Sequence, residues 1–528
     1  MRIGIVISDS QSPNQAEFRF IASREVGTGQ FVEARTPSDL FLGLITNVRM
    51  SNPDYEAIET IHHAITQKAE TLFDTKDLEV YGRSLLQATV RVLGTFDVKS
   101  DGFDFTGKVV PPGSEVHTAE PKRLMRVLSE DPRGLHIGRV FGSEDVVVSM
   151  PVKSLYHHLA VVGSTGSGKS YAGAVICEEL ARKNLAVVVI DPHGEYASLQ
   201  EPSKEMNSSE QALKLRVVEY TPGKAFVDGT RELSLRLSYL SVDDILKTMD
   251  MPGERQRILL YSAFQQFLER VETGQISDDL PGLLSVVREV GERGFGDTLA
   301  STIIRLSKLN ELAILGEGVR PEDLAIKGTL TIVNVSGLDE MSEDIMVGSL
   351  LRMLFRERRR EKIPDFVLVV EEIHRYAPTA STPTKTALAS IVKEGRKFGI
   401  GIVALSQRPS DIDTAILTQC NTILILRLID RTDIERVKNR LGTLFDLESS
   451  VQFFPTGRAI LSGYATRFPL VFNIRKRFTN PEALRSRQTI HKPTKRINMW
   501  SYISQDSRPR KGTKQVPESQ KKLSPADE

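Results

Sequence analysis

Eight consecutive residues, Gly163-Ser164-Thr165-Gly166-Ser167-Gly168-Lys169-Ser170, match the phosphate-loop pattern G-x-x-x-x-G-K-[ST] at every fixed position. The chemistry needs those types at that spacing. Glycines let backbone N–H groups curl around phosphate oxygens, and a helix N-terminus adds positive potential. The lysine reaches the terminal phosphates and the hydroxyl of Ser170 is suited to a magnesium ion. Tyr171 follows directly and falls among the expected nucleotide contacts. An apolar strand, Leu159–Val162, precedes the loop, and apolar residues at helical spacing (Ala172, Val175, Ile176, Leu180) follow it. A glycine-rich turn that binds nothing would not require strand, loop and helix in register.

Such a loop needs a second strand ending in carboxylates, one to hold the metal and one to activate water. Phe366-Val367-Leu368-Val369-Val370-Glu371-Glu372 has that form. An aspartate is commoner at the first position, so the division of labour between Glu371 and Glu372 stays open. The two motifs stand 202 positions apart, from Lys169 to Glu371, a gap that an inserted helical stretch would fill. Asp191-Pro192-His193-Gly194-Glu195-Tyr196 follows another apolar strand and would sit at the ligand edge of an open sheet, with Asp191 a further candidate for the metal. An ordinary Asp/Pro/Gly turn explains the same residues. A strand ending at Ser406-Gln407 reaches the same edge, where Gln407 could sense the terminal phosphate. Arg427 closes a further strand there. Arg396, near a predicted helix end, reads in isolation as a solvated cation favoured by the helix dipole.

The elements that must position these groups fall into regions. Residues 1–150 read as short strands with turn signals at Gly27-Thr28-Gly29 and Pro111-Pro112-Gly113, interrupted by one helical stretch near 55–73; they predict a small β-barrel. Residues 151–240 and 326–475 alternate buried-looking strands with helices, which predicts an α/β, parallel-rich sheet covered on both faces. Residues 241–325 read as a helical subdomain inserted in that core. From Arg475 onward Lys and Arg outnumber acidic residues 14 to 5, so 476–528 reads as a basic, partly disordered extension.

Length and composition bound the rest. A chain of 528 residues exceeds one ordinary core. Its 40% apolar and 26% charged residues suit a globular protein, and a net charge of +1 excludes a uniformly polyanion-binding surface. Two cysteines, Cys177 and Cys420, exclude a disulfide scaffold. No His/Cys grouping has zinc-ligand spacing. No apolar run approaches the roughly 20 residues a membrane helix needs, and a cytoplasmic protein is expected.

In this order the motifs resemble the HerA/FtsK superfamily of P-loop ATPases, and within it the archaeal HerA helicase–translocases. The likeness spans residues 1–475 and is carried by "HHLAVVGSTGSGKSYAGAVI", "AVVVIDPHGEY", "FVLVVEEIHRYAP", "VKEGRKFGIGIVALSQRP", "QCNTILILRLIDRTDIERV" and the terminal "RFPLVFNI". It implies a RecA-like core behind a HAS-type barrel. It also implies ATP and Mg2+ as cofactors, a homohexameric ring, double-stranded DNA threaded without sequence preference, and a NurA-type nuclease partner in DNA end resection, docked through the barrel. Lys169 and Ser170 would bind phosphates and magnesium, and Glu371 and Glu372 would form the carboxylate pair. Arg396 becomes an arginine finger acting on a neighbour, with Arg427 a second candidate. Export of DNA or protein, or nucleotide-dependent recruitment of a nuclease, are the alternative activities.

Overall fold

Runs such as Ala186–Asp191, Phe366–Val370 and Ile400–Ser406 are buried along their whole length. A strand with no polar face must be covered on both sides, and parallel neighbours need a crossover between them. The computed structural model satisfies both demands. It describes residues 1–8, 13–51, 85–97, 102–105, 107–128, 133–203, 215–223, 230–250, 252–312, 314–378, 382–438 and 450–480, with 131, 380 and 440. The helical stretch expected near 55–73 and most of the basic extension, 481–528, lie outside these residues.

The N-terminal strands β1 (Arg2–Ile7), β2 (Glu17–Ala22), β3 (Phe31–Arg35), β4 (Asp39–Ser51), β5 (Leu85–Asp97), β6 (Phe103–Asp104) and β7 (Glu115–Thr118) pair in the order β2-β1-β7-β3-β4-β5-β6. Antiparallel pairing of β2 with β5 closes six of them into a barrel. Strand alternation gives the barrel two apolar faces. Phe18, Phe20, Phe41, Ile45 and Val90 fill its inside, while Leu42, Leu44, Leu93 and Phe96 join the core of the rest of the molecule.

The second sheet has twelve strands: β8 (Leu135–Val140), β9 (Val147–Met150), β10 (Leu159–Val162), β11 (Ala186–Asp191), β12 (Arg216–Pro222), β13 (Thr230–Leu233), β14 (Thr329–Asn334), β15 (Phe366–Val370), β16 (Ile400–Ser406), β17 (Thr422–Ile425), β18 (Arg458–Gly463) and β19 (Leu470–Ile474). Their order is β13-β12-β14-β11-β15-β16-β10-β17-β18-β19-β8-β9. The eight from β13 to β17 run parallel, and the last four join antiparallel. Helix α1 (Lys169–Arg182) follows β10; α2 (Val242–Lys247), α3 (Glu254–Glu272), α4 (Leu280–Gly294), α5 (Gly296–Leu306) and the short helix Pro321–Leu324 lie between β13 and β14. Helix α6 (Glu340–Arg359) leads into β15 and α7 (Pro383–Glu394) lies between β15 and β16.

One expectation is corrected here. Residues 135–150, assigned to the barrel from sequence, form the β8–β9 hairpin on the antiparallel edge of the large sheet. Short alternating strands look alike whichever sheet they join, and only the pairing with β19 decides. The first residues of the basic stretch, up to 480, pack on α1, and the rest of the extension lies outside the described residues. Arg475 pairs with Glu178 at 2.8 Å and Glu179 at 2.9 Å on α1, and Thr479 donates its backbone N–H to Glu178.

Candidate active site

Strand β10 lies between β16 and β17, and β16 separates it from β15. All run parallel, so their C-terminal ends share one edge. Val162 is level with both Ser406 and Ile425, and Ile190 with Val370. That register gathers the phosphate loop, Gln407, the glutamate pair, Asp191 and Arg427 along one rim, where open α/β sheets bind ligands.

The loop passes from β10 into α1 through Gly168 at φ +97°, a left-handed conformation that glycine adopts without a side-chain clash. One turn into α1, Gly173 permits a close crossing: a Cβ there would stand 2.4 Å from the Tyr196 hydroxyl and 2.6 Å from Leu405. Tyr196 therefore passes directly beneath the helix.

Lys169 is buried and its Nζ pairs with Glu371 and, at 3.1 Å, with Glu372. Burial disfavours its charge, yet the two carboxylates outweigh that and hold the ammonium above the ordinary lysine value. Ser170 Oγ donates to Glu371 Oε1 at 3.1 Å, and the Tyr196 hydroxyl donates to Oε2 at 2.7 Å. Burial, with Glu371 beside it, pushes the Tyr196 phenol well above the ordinary tyrosine value, so it remains a donor.

Glu372 has a different shell. Gln407 donates to it from both its side-chain amide and, at 3.3 Å, its backbone N–H. The same Gln407 accepts from Thr165 Oγ1 of the phosphate loop at 2.6 Å. His374 Nδ1 lies 3.3 Å from Glu372 and 3.1 Å from Ser406 Oγ. Burial works to raise the Glu372 carboxyl, but Lys169 and Gln407 overcome it and keep the group ionised. Its backbone is left-handed (φ 49°, ψ 50°), which for a non-glycine residue costs about 1–2 kcal/mol. Strain of that kind is retained where the side chain must point in one direction.

Asp191 turns toward its own loop. It is fully buried, and its two oxygens accept from the backbone N–H groups of His193, Gly194, Glu195 and Tyr196 at 2.8–3.2 Å. Burial pushes the carboxyl up to about 7 against those four donors. Its lone pairs shape the loop that delivers Tyr196. The sequence reading weighted Asp191 and missed Tyr196. The signal was the last residue of the same motif, a large apolar ring with a single polar atom.

Arg427 Nη2 reaches the Gly166 carbonyl at 3.4 Å, beside the loop of its own chain. Arg396 sits apart, exposed in the 3-10 turn Gly395–Phe398 that leads into the start of β16, at the opposite edge of the sheet. It lies beside His157, whose ring stacks on Tyr464 at 4.1 Å. Tyr171 packs away from the edge against the C-terminal segment, its hydroxyl accepting from Arg477 N at 2.8 Å. Among the described residues no group of three or more His, Cys, Asp or Glu is placed to hold a metal by itself. The oxygen donors Ser170 and Glu371, one hydroxyl and one carboxylate, fit a magnesium ion that takes its remaining ligands from phosphate and water.

A phosphate loop on a central parallel strand, separated by one strand from a strand that ends in paired carboxylates, defines a P-loop ATPase with a RecA-like core. Comparison with known proteins agrees. The family model for the central domain of helicase HerA matches residues 135–354, and that for the HAS barrel domain matches residues 3–97. By these matches the chain is similar to the HerA helicases, and it is a P-loop ATP hydrolase of the helicase and translocase type. It is 26% identical over 509 residues to the DNA double-strand break repair helicase HerA of Sulfurisphaera tokodaii, covering 90% of this chain and 93% of that one. The protein of the same name from Saccharolobus solfataricus is 28% identical over 497 residues, covering 90% and 92%. Among solved structures, the conjugative coupling protein TrwB is 14% identical with a TM-score of 0.48, over 69% of this chain and 94% of that one. VirB4 of Thermoanaerobacter pseudethanolicus is 15% identical with a TM-score of 0.46, over 66% and 98%. The fold assignment rests on strand order and on the family models. No helix among the described residues is long and apolar enough to cross a membrane.

Proposed function

We propose that this ATPase is a cytoplasmic motor that assembles as a ring of six copies and drives duplex DNA through its centre without sequence preference. It would serve DNA end resection in double-strand break repair beside a NurA-type nuclease docked on the barrel. The names of its relatives support the DNA substrate and the repair role. The observation that carries a multi-subunit motor is the position of Arg396, on the sheet edge opposite its own phosphate loop. A finger there would be out of reach of its own phosphate loop, which supports a role at the site of a neighbouring copy.

In the proposed chemistry, residues 163–170 bind the ATP phosphates. Magnesium, held by Ser170 Oγ and Glu371, would offset charge on the phosphate oxygens. Lys169 leaves the carboxylates to meet the terminal phosphates. That exchange removes the nearest positive charge from Glu372, raises its proton affinity and prepares it as the base. Glu372, oriented by Gln407, accepts a proton from water as the water oxygen bonds to the terminal phosphorus and the bond to the ADP oxygen breaks. Gln407, bonded to both Glu372 and Thr165, reports terminal-phosphate occupancy to the base. Arg396 of the adjacent copy stabilises the developing charge, an effect of about 10³–10⁵ in rate elsewhere. Arg427 steadies the loop in cis. Hydrolysis measured with and without linear duplex DNA, using Lys169→Ala as the blank, tests the reading: stimulation lost in the blank supports it, and turnover indifferent to DNA contradicts it.

A further inference from the structure

Helix α6 ends in a run of cations: Arg352, Arg356, Arg358, Arg359 and Arg360, followed by Lys362. Cations at a helix C-terminus are favoured by the dipole, but each such charge needs only solvent around it. Two of these arginines have structural work. Arg352 pairs with the buried Asp244, and Arg358 holds the carbonyls of Phe398 and Ile363, 2.7 and 3.1 Å away. The others share too little negative charge. Arg356, Arg360 and Lys362 all converge on the single buried carboxylate of Glu357, at 3.0, 3.5 and 3.4 Å. Arg359 pairs with no carboxylate among the described residues; its guanidinium lies over the rings of Phe355 and Phe398 at 5.7 and 5.6 Å.

Four of these arginines line a cleft of about 640 Å³ between α6 and α7 that Ser241 and Asp243, at the start of α2, also border. Arg352, Arg356, Arg359 and Arg360 line it together with Phe355 and the hydroxyl residues Ser241, Thr386 and Ser390; the one carboxylate in the lining, Asp243, accepts from the Tyr261 hydroxyl at 2.8 Å, and the four arginines outnumber it. The cleft lies away from the nucleotide, since the C-terminal end of α6 leads into the start of β15 while the phosphate loop stands at the strand's far end. Guanidinium planes held by rings keep their N–H forks pre-oriented, which suits the two oxygens of a phosphate better than a mobile ammonium would. Hydroxyls beside them are the other side chains that commonly contact phosphodiester oxygens.

We propose that this cleft binds the phosphodiester backbone of the duplex on which the ATPase acts. The proposal rests on the DNA reading above and adds the place where the duplex is gripped. The test is anisotropy titration of a labelled random-sequence 30-base-pair duplex with full-length protein across a range of salt. Basal hydrolysis and assembly mass are followed in parallel. Arg359→Gln with Arg360→Gln should weaken binding about tenfold at low salt and make the slope of log affinity against log salt shallower by about 1–2. Basal hydrolysis and assembly should stay as in the wild type. Arg359→Lys with Arg360→Lys should keep most of the slope. If the wild type binds duplex and the Gln variant binds identically, the cleft proposal fails alone. If the variant loses assembly, the cleft meets a neighbouring copy and the proposal is likewise overturned. If the wild type binds no duplex at any salt, the DNA reading falls and this one with it.

Discussion

Tyr196→Phe removes one oxygen from the centre of the site and nothing else. The hydroxyl sits 2.7 Å from Glu371 Oε2, and both residues are almost wholly excluded from solvent. A hydrogen bond from a neutral donor to a buried carboxylate contributes about 1.5–3 kcal/mol. Without nucleotide, Glu371 keeps Lys169 and Ser170 as partners, so the fold should tolerate the change. When Lys169 moves to phosphate, Tyr196 becomes the main group fixing the direction of that carboxylate. The loss should therefore appear in the loaded site: kcat lower by about 10- to 100-fold, at 1.4 kcal/mol per factor of ten. Nucleotide affinity gives a second readout. The tightening that magnesium confers on a fluorescent ADP analogue should shrink by about tenfold, with the magnesium-free affinity unchanged. Equal losses with and without magnesium would mean that Tyr196 merely supports the loop. No loss in either would mean that Glu371 is held by other groups.

Further outcomes follow from the same geometry. Glu372→Gln should cut turnover by about 10²–10⁴ while ADP binding persists, checked by single-turnover hydrolysis and equilibrium titration. Arg396→Ala and Lys169→Ala should each be inactive, yet subunits mixed from both should regain hydrolysis, because a Lys169→Ala copy still lends its arginine to an intact neighbouring site; no recovery would remove Arg396 as a trans-acting group. Arg475→Ala should destabilise the core by about 1.5–3 kcal/mol in urea unfolding, since it removes charged hydrogen bonds to the buried Glu178 and Glu179 while Glu179 keeps Arg182 and Glu178 keeps Arg477.

Much of the fold was legible because its strands are uninterrupted apolar runs: Leu159–Val162 and Phe366–Val370 are observed at the expected residues. Strands β12 and β13 went unread, their exposed Arg216, Arg231 and Glu232 breaking the apolar run at the sheet edge. The phosphate loop and glutamate pair were visible because their chemistry fixes residue types at fixed spacing. What separates Glu371 from Glu372 is not in that spacing. It lies in partners 175 positions away for Tyr196 and 35 for Gln407, which only the sheet register brings together. Arg396 had the reverse history. Alone it reads as a solvated cation, and the finger role proposed for it comes from the family resemblance; its place in the turn before β16 is compatible with both.

The most direct test of the account is steady-state ATP hydrolysis at fixed moderate salt, with and without linear duplex DNA, on wild type and Lys169→Ala. Strong stimulation by duplex in the wild type, with none in the variant, is the predicted result. Wild-type turnover that duplex leaves unchanged would contradict a DNA-driven motor, whatever the integrity of its nucleotide site.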